Sequence, residues 1–256
     1  MNKDVDGPVP FLSLVVLCYR SEESVVPFVE RIVKMLSFCN FTYELILVGN
    51  YLEGSDDRTP EVVRDLANHF AQVRAITLPK SGMMGWDMRS GMDAARGKYV
   101  CIIDGDGQFP LESVLTCLIK IDTENYDLVK TYRVRREDGL YRRIISTVYN
   151  AIFRLLFKTN YYDVNSKPKI IRREQYVDLA LQSDDWFTDA EIMIRATEIG
   201  LRVAEIPIHF YRIEERSSFV RPSAIFEFLK NLWDYRFRRP PARSGARGDK
   251  ILGAKR

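Results

Sequence analysis

Long apolar runs are missing. The most apolar stretches of the 256 residues, "FLSLVVLC" (11–18) and "YVCIID" (99–104), have the length of strands, and none approaches the roughly 18 residues of a membrane-spanning helix. The opening "MNKDVDGPVP" has no apolar core of the kind a signal peptide carries, so a cytosolic address is expected. Histidine is scarce: His69 and His209 stand alone, which argues against a histidine metal site or a Ser-His-Asp triad. The four cysteines, Cys18, Cys39, Cys101 and Cys117, have no Cys-x-x-Cys spacing and read as free thiols in a reducing compartment.

What is present is ordinary for a globular protein, with 46% hydrophobic and 29% charged residues. Its charge is uneven. Arg236 to Arg256 holds eight Lys/Arg against Asp249, a formal +7, so the net +3 of the chain leaves −4 for residues 1–235. The basic tail is rich in Pro, Gly and Ser. It reads either as a solvated disordered segment or as a contact for anionic lipid headgroups or for a membrane protein; no nucleic-acid partner is expected.

Strand and helix patterns alternate. Strands are expected at 11–19, 43–50, "VRAITL", 99–104 and "YDLVKTYRV", and helices at "SVVPFVERIVKMLSF", "TPEVVRDLANHF" with Thr59 as N-cap, "GWDMRSGMDAARG" closed by Gly97, and "PLESVLTCLIKI". Beyond residue 140 helices dominate, with strands at "KIIRRE" and "LRVAEIPIHFYRI". This alternation predicts an α/β fold with a mostly parallel central sheet flanked by helices. The domain is expected over 1–221, an amphipathic C-terminal helix over 222–239 and the basic tail over 240–256. Ligands of such sheets sit beyond the carboxyl ends of the strands, which places Tyr19, Asn50 and Asp104–Gln108 on one edge.

"YVCIIDGDGQFP" ends a buried strand on two aspartates and a glutamine. An EF-hand is excluded, because the sixth and twelfth positions counted from Asp104 are Phe109 and Leu115. An Asx turn accounts for one aspartate and one glycine. Metal-phosphate binding accounts for all three oxygen-bearing side chains: Asp104, Asp106 and Gln108 offer hard donors suited to Mg²⁺ or Mn²⁺, and Gly105 and Gly107 allow close approach.

The stretch "DGDGQFP" resembles the Asp-x-Asp motif of inverting family 2 glycosyltransferases with the GT-A fold, above all the dolichyl/polyprenyl-phosphate mannose synthase-like group. Further segments over about residues 11–221 carry the resemblance. "LCYRSEESV" is similar to the turn that receives the nucleotide, and "LVGNYLEGSDDRT" places Asn50 where that group has an aspartate, with Gly49 replacing another. "YRRIISTVYN" resembles an Arg-x-x-x-Ser helix. "DVNSKPKIIRRE" is similar to Asp-x-x-Ser-Gly-x-Lys, with Lys167 in the glycine position. "FYRIEERSSF" resembles Arg-x-x-Gly-Lys-Ser-Ser-Phe, with Arg212, Arg216, Ser217, Ser218 and Phe219 matching.

The resemblance implies a nucleotide-diphosphate sugar donor on Cys18, Tyr19, Glu22, Asn50, Lys80 and Asp104. It implies a divalent ion on Asp104, Asp106 and Gln108. Arg142, Arg143, Ser146, Arg212, Arg216 and Ser217 would meet phosphate or acceptor, although a solvated basic face also accounts for the arginines. Asp106 and Asp189 are the catalytic candidates, Asp189 as a base or as an acceptor-orienting group. Thr188 and Glu191 fit a capping box. The expected activity is hexose transfer to a polyprenyl- or dolichyl-type lipid phosphate by a peripheral enzyme. Transfer to a glycan hydroxyl in surface polysaccharide assembly, or non-catalytic binding of a nucleotide sugar, are the alternatives.

Overall fold

A computed structural model describes residues 8–136, 140–211 and 224–238. The chain forms two compact units, Met1–Phe219 and Val220–Arg256. In the second, α8 (Ala224–Phe237) is the described element; the basic tail lies outside the described residues, as do residues 212–223.

The first unit is built on a seven-stranded sheet of order β3-β2-β1-β4-β6-β5-β7. The strands are β1 (Leu12–Leu17), β2 (Tyr43–Val48), β3 (Val73–Ile76), β4 (Tyr99–Asp104), β5 (Leu128–Arg136), β6 (Lys169–Arg172) and β7 (Val203–Phe210). The central strands β1 and β4 are buried and largely apolar, broken by Ser13 and ended by Asp104, because helices cover both faces. The helices are α1 (Val26–Ser37), α2 (Thr59–His69), α3 (Met84–Asp93), α4 (Glu112–Thr123), α5 (Leu140–Phe157), α6 (Arg173–Leu179) and α7 (Thr188–Glu198). In α1, Phe28, Val29, Ile32 and Leu36 recur at helical spacing and are buried in the same core as Leu12, Leu14 and Leu45. Helix α3 crosses close to the sheet through Gly91, where a Cβ would lie 2.4 Å from Val15 Cγ1 and 2.7 Å from Val48 Cγ2.

Parallel pairing joins β1 to β2 and β4, β2 to β3, and β5 to β7. One strand runs against the rest, because β6 pairs antiparallel with both β4 and β5. Its amino end therefore lies at the edge where the other strands end. Ile102 faces Lys169 in the β4–β6 register; continued by two residues, that register sets Lys167 opposite Asp104.

Local expectations are corrected at three points. Helix α3 stops at Asp93, and Gly97 instead lies against β1, where its N–H donates to Ser13 Oγ at 2.8 Å. Helix α2 includes Thr59 and has Arg58 at its N-cap; the Thr59 hydroxyl accepts the N–H groups of Ser21 and Glu22 at 3.0 and 2.9 Å. Helix α7 carries no capping box. Phe187 is its N-cap, and the Glu191 carboxylate reaches back to accept the N–H groups of Gln182 and Ser183.

Candidate active site

The site is assembled at the carboxyl edge. Asp104 is the last residue of β4, level with Leu17 of β1, and the N–H of Gly105 donates to Leu17 O at 2.8 Å. The chain then turns through Gly107, whose φ of +72° is a left-handed conformation that glycine adopts without strain. Within the turn the Gln108 N–H donates to Asp106 Oδ1 at 3.0 Å. The Asx turn is thus real, and it orients Asp106. The Gln108 side-chain amide donates to Tyr211 O at 3.1 Å, and the Tyr211 N–H donates to Gln108 O at 3.0 Å. These bonds tie the turn to the residue following β7.

Lys167 is the residue that sequence reasoning passed over. Its Nζ stands 3.1 Å from Asp104 Oδ1 and 3.2 Å from Asp189 Oδ2, while Asp189 also pairs closely with Lys169. Lys167, Lys169 and Asp189 are each at most 2% exposed. Burial would push the Lys167 ammonium toward neutrality, but the two carboxylates outweigh burial and raise its pKa. Burial opposes ionisation of Asp189 as well; Lys167 and Lys169 reverse the sign, and its pKa falls. Lys169 goes the other way, lowered to about 8 by burial, with the charges of Lys130 and Lys167 adding to the shift against Asp189. The sequence signal for Lys167 is a lysine at a glycine position of the pattern it resembles. Its meaning depends on the reversed direction of β6.

On the β1–β2 side, Lys80 Nζ sits over the Tyr19 ring, 4.1 Å from its centroid, and pairs closely with Asp87. Asn50 is fully buried. Its amide donates to Asp87 Oδ1 at 2.9 Å and Ser90 Oγ at 3.0 Å, and its oxygen accepts the Leu78 N–H at 2.8 Å. It therefore positions Asp87 beneath Lys80. Burial raises the Asp87 pKa, against the opposing effects of Lys80 and Asn50. The Cys18 thiol is fully buried and donates to Val16 O at 3.4 Å, whereas Glu22 is exposed.

Helix α5 brings Arg143 and Ser146 to a cavity of about 220 Å³ that they share with Arg133, Asn150, Arg154 and Asp163. Arg133 grips Asp163 with two bonds of 2.6 and 2.8 Å. Arg142 is half-buried on the same helix and does not line the cavity. Arg212, Arg216 and Ser217 lie outside the described residues.

No cluster of three or more His, Cys, Asp or Glu suited to a metal occurs among the described residues. The turn offers two carboxylates and one carboxamide, with one Asp104 oxygen already paired to Lys167. That donor set fits a hard divalent cation whose remaining ligands are phosphate oxygens, and does not fit a cation held by protein alone.

The site thus combines a mostly parallel sheet with one reversed strand, an Asp-x-Asp turn at its open edge, and Lys167 paired to the first aspartate of that turn. The family model described as Glycosyl transferase family 2 matches residues 13–179, more than half of the chain, and the chain belongs to that family. Mannosyl-3-phosphoglycerate synthase from Rubrobacter xylanophilus has the same fold, with a TM-score of 0.69 at 16% identity over 94% of this chain and 78% of that one. So does glucosyl-3-phosphoglycerate synthase from Mycobacterium tuberculosis, solved with Mn²⁺, uridine diphosphate and glucosyl-3-phosphoglycerate. Its TM-score is 0.64 at 18% identity, over 90% of this chain and 81% of that one. Among curated proteins, the undecaprenyl-phosphate 4-deoxy-4-formamido-L-arabinose transferases of Yersinia pestis (strain Pestoides F) and Yersinia pseudotuberculosis serotype O:3 (strain YPIII) are each 26% identical over 206 residues, 80% of this chain. The chain spans 61% of the length of these relatives.

Proposed function

We propose that the protein transfers a sugar, with inversion, from a nucleotide diphosphate sugar to a polyprenyl-type lipid phosphate at a membrane surface. The observation that carries this reading is the state of Asp189. A general base works best with a pKa near the operating pH. Asp189 is buried between two lysines that hold its pKa down, which makes it a poor proton acceptor. The neighbouring carboxylate, Glu191, is engaged with the backbone of Gln182 and Ser183. A hydroxyl acceptor would need a base, whereas a phosphate oxygen is already anionic and attacks the anomeric carbon unaided. The arginine-lined cavity beside α5 suits such an anion, and the names of the Yersinia relatives favour a lipid phosphate.

In this scheme Tyr19 and Lys80 receive the nucleotide. Asp106 and Gln108 would hold Mg²⁺ or Mn²⁺ against the diphosphate, with Asp104 turned toward Lys167. The ion, when bound, neutralises charge on the departing nucleoside diphosphate. Lys167 holds Asp104 and Asp189 at a fixed spacing and adds a positive charge where the reacting phosphates meet, an arrangement made before the reaction and not during it.

The test is a panel of nucleotide sugars incubated with undecaprenyl phosphate, with and without Mn²⁺. One donor should yield a glycosylated lipid phosphate only with metal. Transfer to a glycan hydroxyl and none to the lipid phosphate would overturn the reading.

A further inference from the structure

Helix α5 has three differently dressed faces. Tyr149 and Phe153 are buried, and the Asn150 side-chain oxygen accepts the Val164 N–H at 2.9 Å, anchoring the helix to the loop before β6. On the opposite side Ile144, Val148 and Leu155 are 54%, 51% and 80% exposed. At about 100° per residue, these three and the exposed Ala151 fall on one line along the helix. The line runs roughly 17 Å at 1.5 Å per residue. A third stripe lies about a quarter turn away: Arg143, Thr147, Asn150 and Arg154 line the cavity already described. Lys158 follows just beyond the helix end and is exposed.

An apolar line beside an arginine-lined cavity on one helix is the pattern of a segment that lies in the plane of a bilayer interface. No helix among the described residues is long and apolar enough to cross a membrane. We propose that α5 is a membrane-docking surface: Ile144, Val148 and Leu155 enter the headgroup boundary of an anionic bilayer, and Arg143, Arg154 and Lys158 meet its phosphates. The proposal rests on the lipid-phosphate reading for its purpose but not for its evidence. It gives that reading a geometry, since the cavity would open at headgroup depth, where the phosphate of a membrane-anchored acceptor lies. Charge complementarity and the shared helix select a bilayer over a protein partner or a second copy of the chain.

The full chain, with its basic C-terminal residues intact, is sedimented with vesicles of phosphatidylcholine and phosphatidylglycerol in equal parts, and with phosphatidylcholine alone. Binding should be stronger on the anionic vesicles. The triple variant Ile144→Ser, Val148→Ser, Leu155→Ser should lower the partition coefficient by about tenfold or more, as expected when the apolar part of an interfacial helix is removed. The single change Leu155→Ser, at a site too exposed to threaten folding, should lower it in the same direction. Undiminished binding by a folded triple variant would overturn the proposal, and so would a dimer of the native chain that the triple variant dissolves while lipid binding persists. The two readings fail separately. Loss of vesicle binding without any transfer to lipid phosphate would uphold the surface and remove the function. Transfer to detergent-dissolved acceptor with vesicle binding unchanged in the triple variant would do the reverse.

Discussion

Replacing Lys167 by methionine removes one ammonium and keeps most of its volume. The Nζ lies 3.1 and 3.2 Å from carboxylates of Asp104 and Asp189. At an effective dielectric constant near 20, each contact amounts to about 5 kcal/mol of gross attraction, most of it offset by the desolvation of three ions. Removing one member of a buried pair costs about 3–5 kcal/mol when the remaining charge is stranded. Here the stranding is partial, since the Asp104 side chain is 28% exposed and Asp189 keeps Lys169. A loss of about 2–3 kcal/mol is therefore expected from denaturant unfolding at pH 7. A purely structural role would end there. Lys167→Met also releases Asp104 toward the Asp106 turn, so calorimetric titration of Mn²⁺ into the protein with the nucleoside diphosphate of whichever donor the panel identifies should show metal binding tightened by about tenfold, some 1.4 kcal/mol. An unfolding free energy within about 0.5 kcal/mol of the parent, together with unchanged metal affinity, would refute the proposed coupling of Asp104 to Lys167.

Other expectations bear on neighbouring residues. Asp106→Ala should abolish the metal-dependent part of nucleotide binding and leave the melting temperature nearly unchanged, because the side chain is only half-buried in its turn; metal-dependent binding equal to the parent's would remove Asp106 from the site. Lys169 has its folded pKa lowered to about 8 from 10.5, so between those values the unfolded chain binds the extra proton and stability rises with pH. Below pH 8 both states are protonated and the rise vanishes. The parent should therefore gain on Lys169→Met between pH 8 and 10 by about 1–3 kcal/mol, at no more than 1.36 kcal/mol per pH unit, and parallel pH profiles of unfolding free energy would contradict this. Gly91→Val should destabilise the fold by about 3 kcal/mol or more through overpacking between Val15 and Val48, measurable as a lowered midpoint in urea; a midpoint equal to the parent's would contradict the close crossing of α3.

Much of the architecture was legible in local pattern. Helix α5 runs from Leu140 to Phe157, in the region beyond residue 140 where helices are expected, because apolar residues at helical spacing signal a helix locally. The strand β4 ends at Asp104 as its apolar run does. Misreadings occurred where a residue's role is set by something distant in sequence. Gly97 was expected to close a helix, but it lies against Ser13, 84 residues earlier. Thr188 and Glu191 have the spacing of a capping box, but Glu191 is drawn to the backbone of the preceding loop.

The sequence by itself determined the order of strands and helices, the acidic turn at the end of β4 and the family, since all three are read from short local patterns taken one segment at a time. Tertiary structure alone decided which charges meet. The alternation of strands and helices says nothing about one strand running backward, yet the antiparallel course of β6 carries Lys167 and Lys169 to the edge where β4 delivers Asp104. Had β6 run parallel to its neighbours, the two lysines would sit at the opposite end of the sheet and Asp189 would lack both partners. Sequence patterns record periodicity and composition, while strand direction is fixed by how the chain packs around the finished sheet.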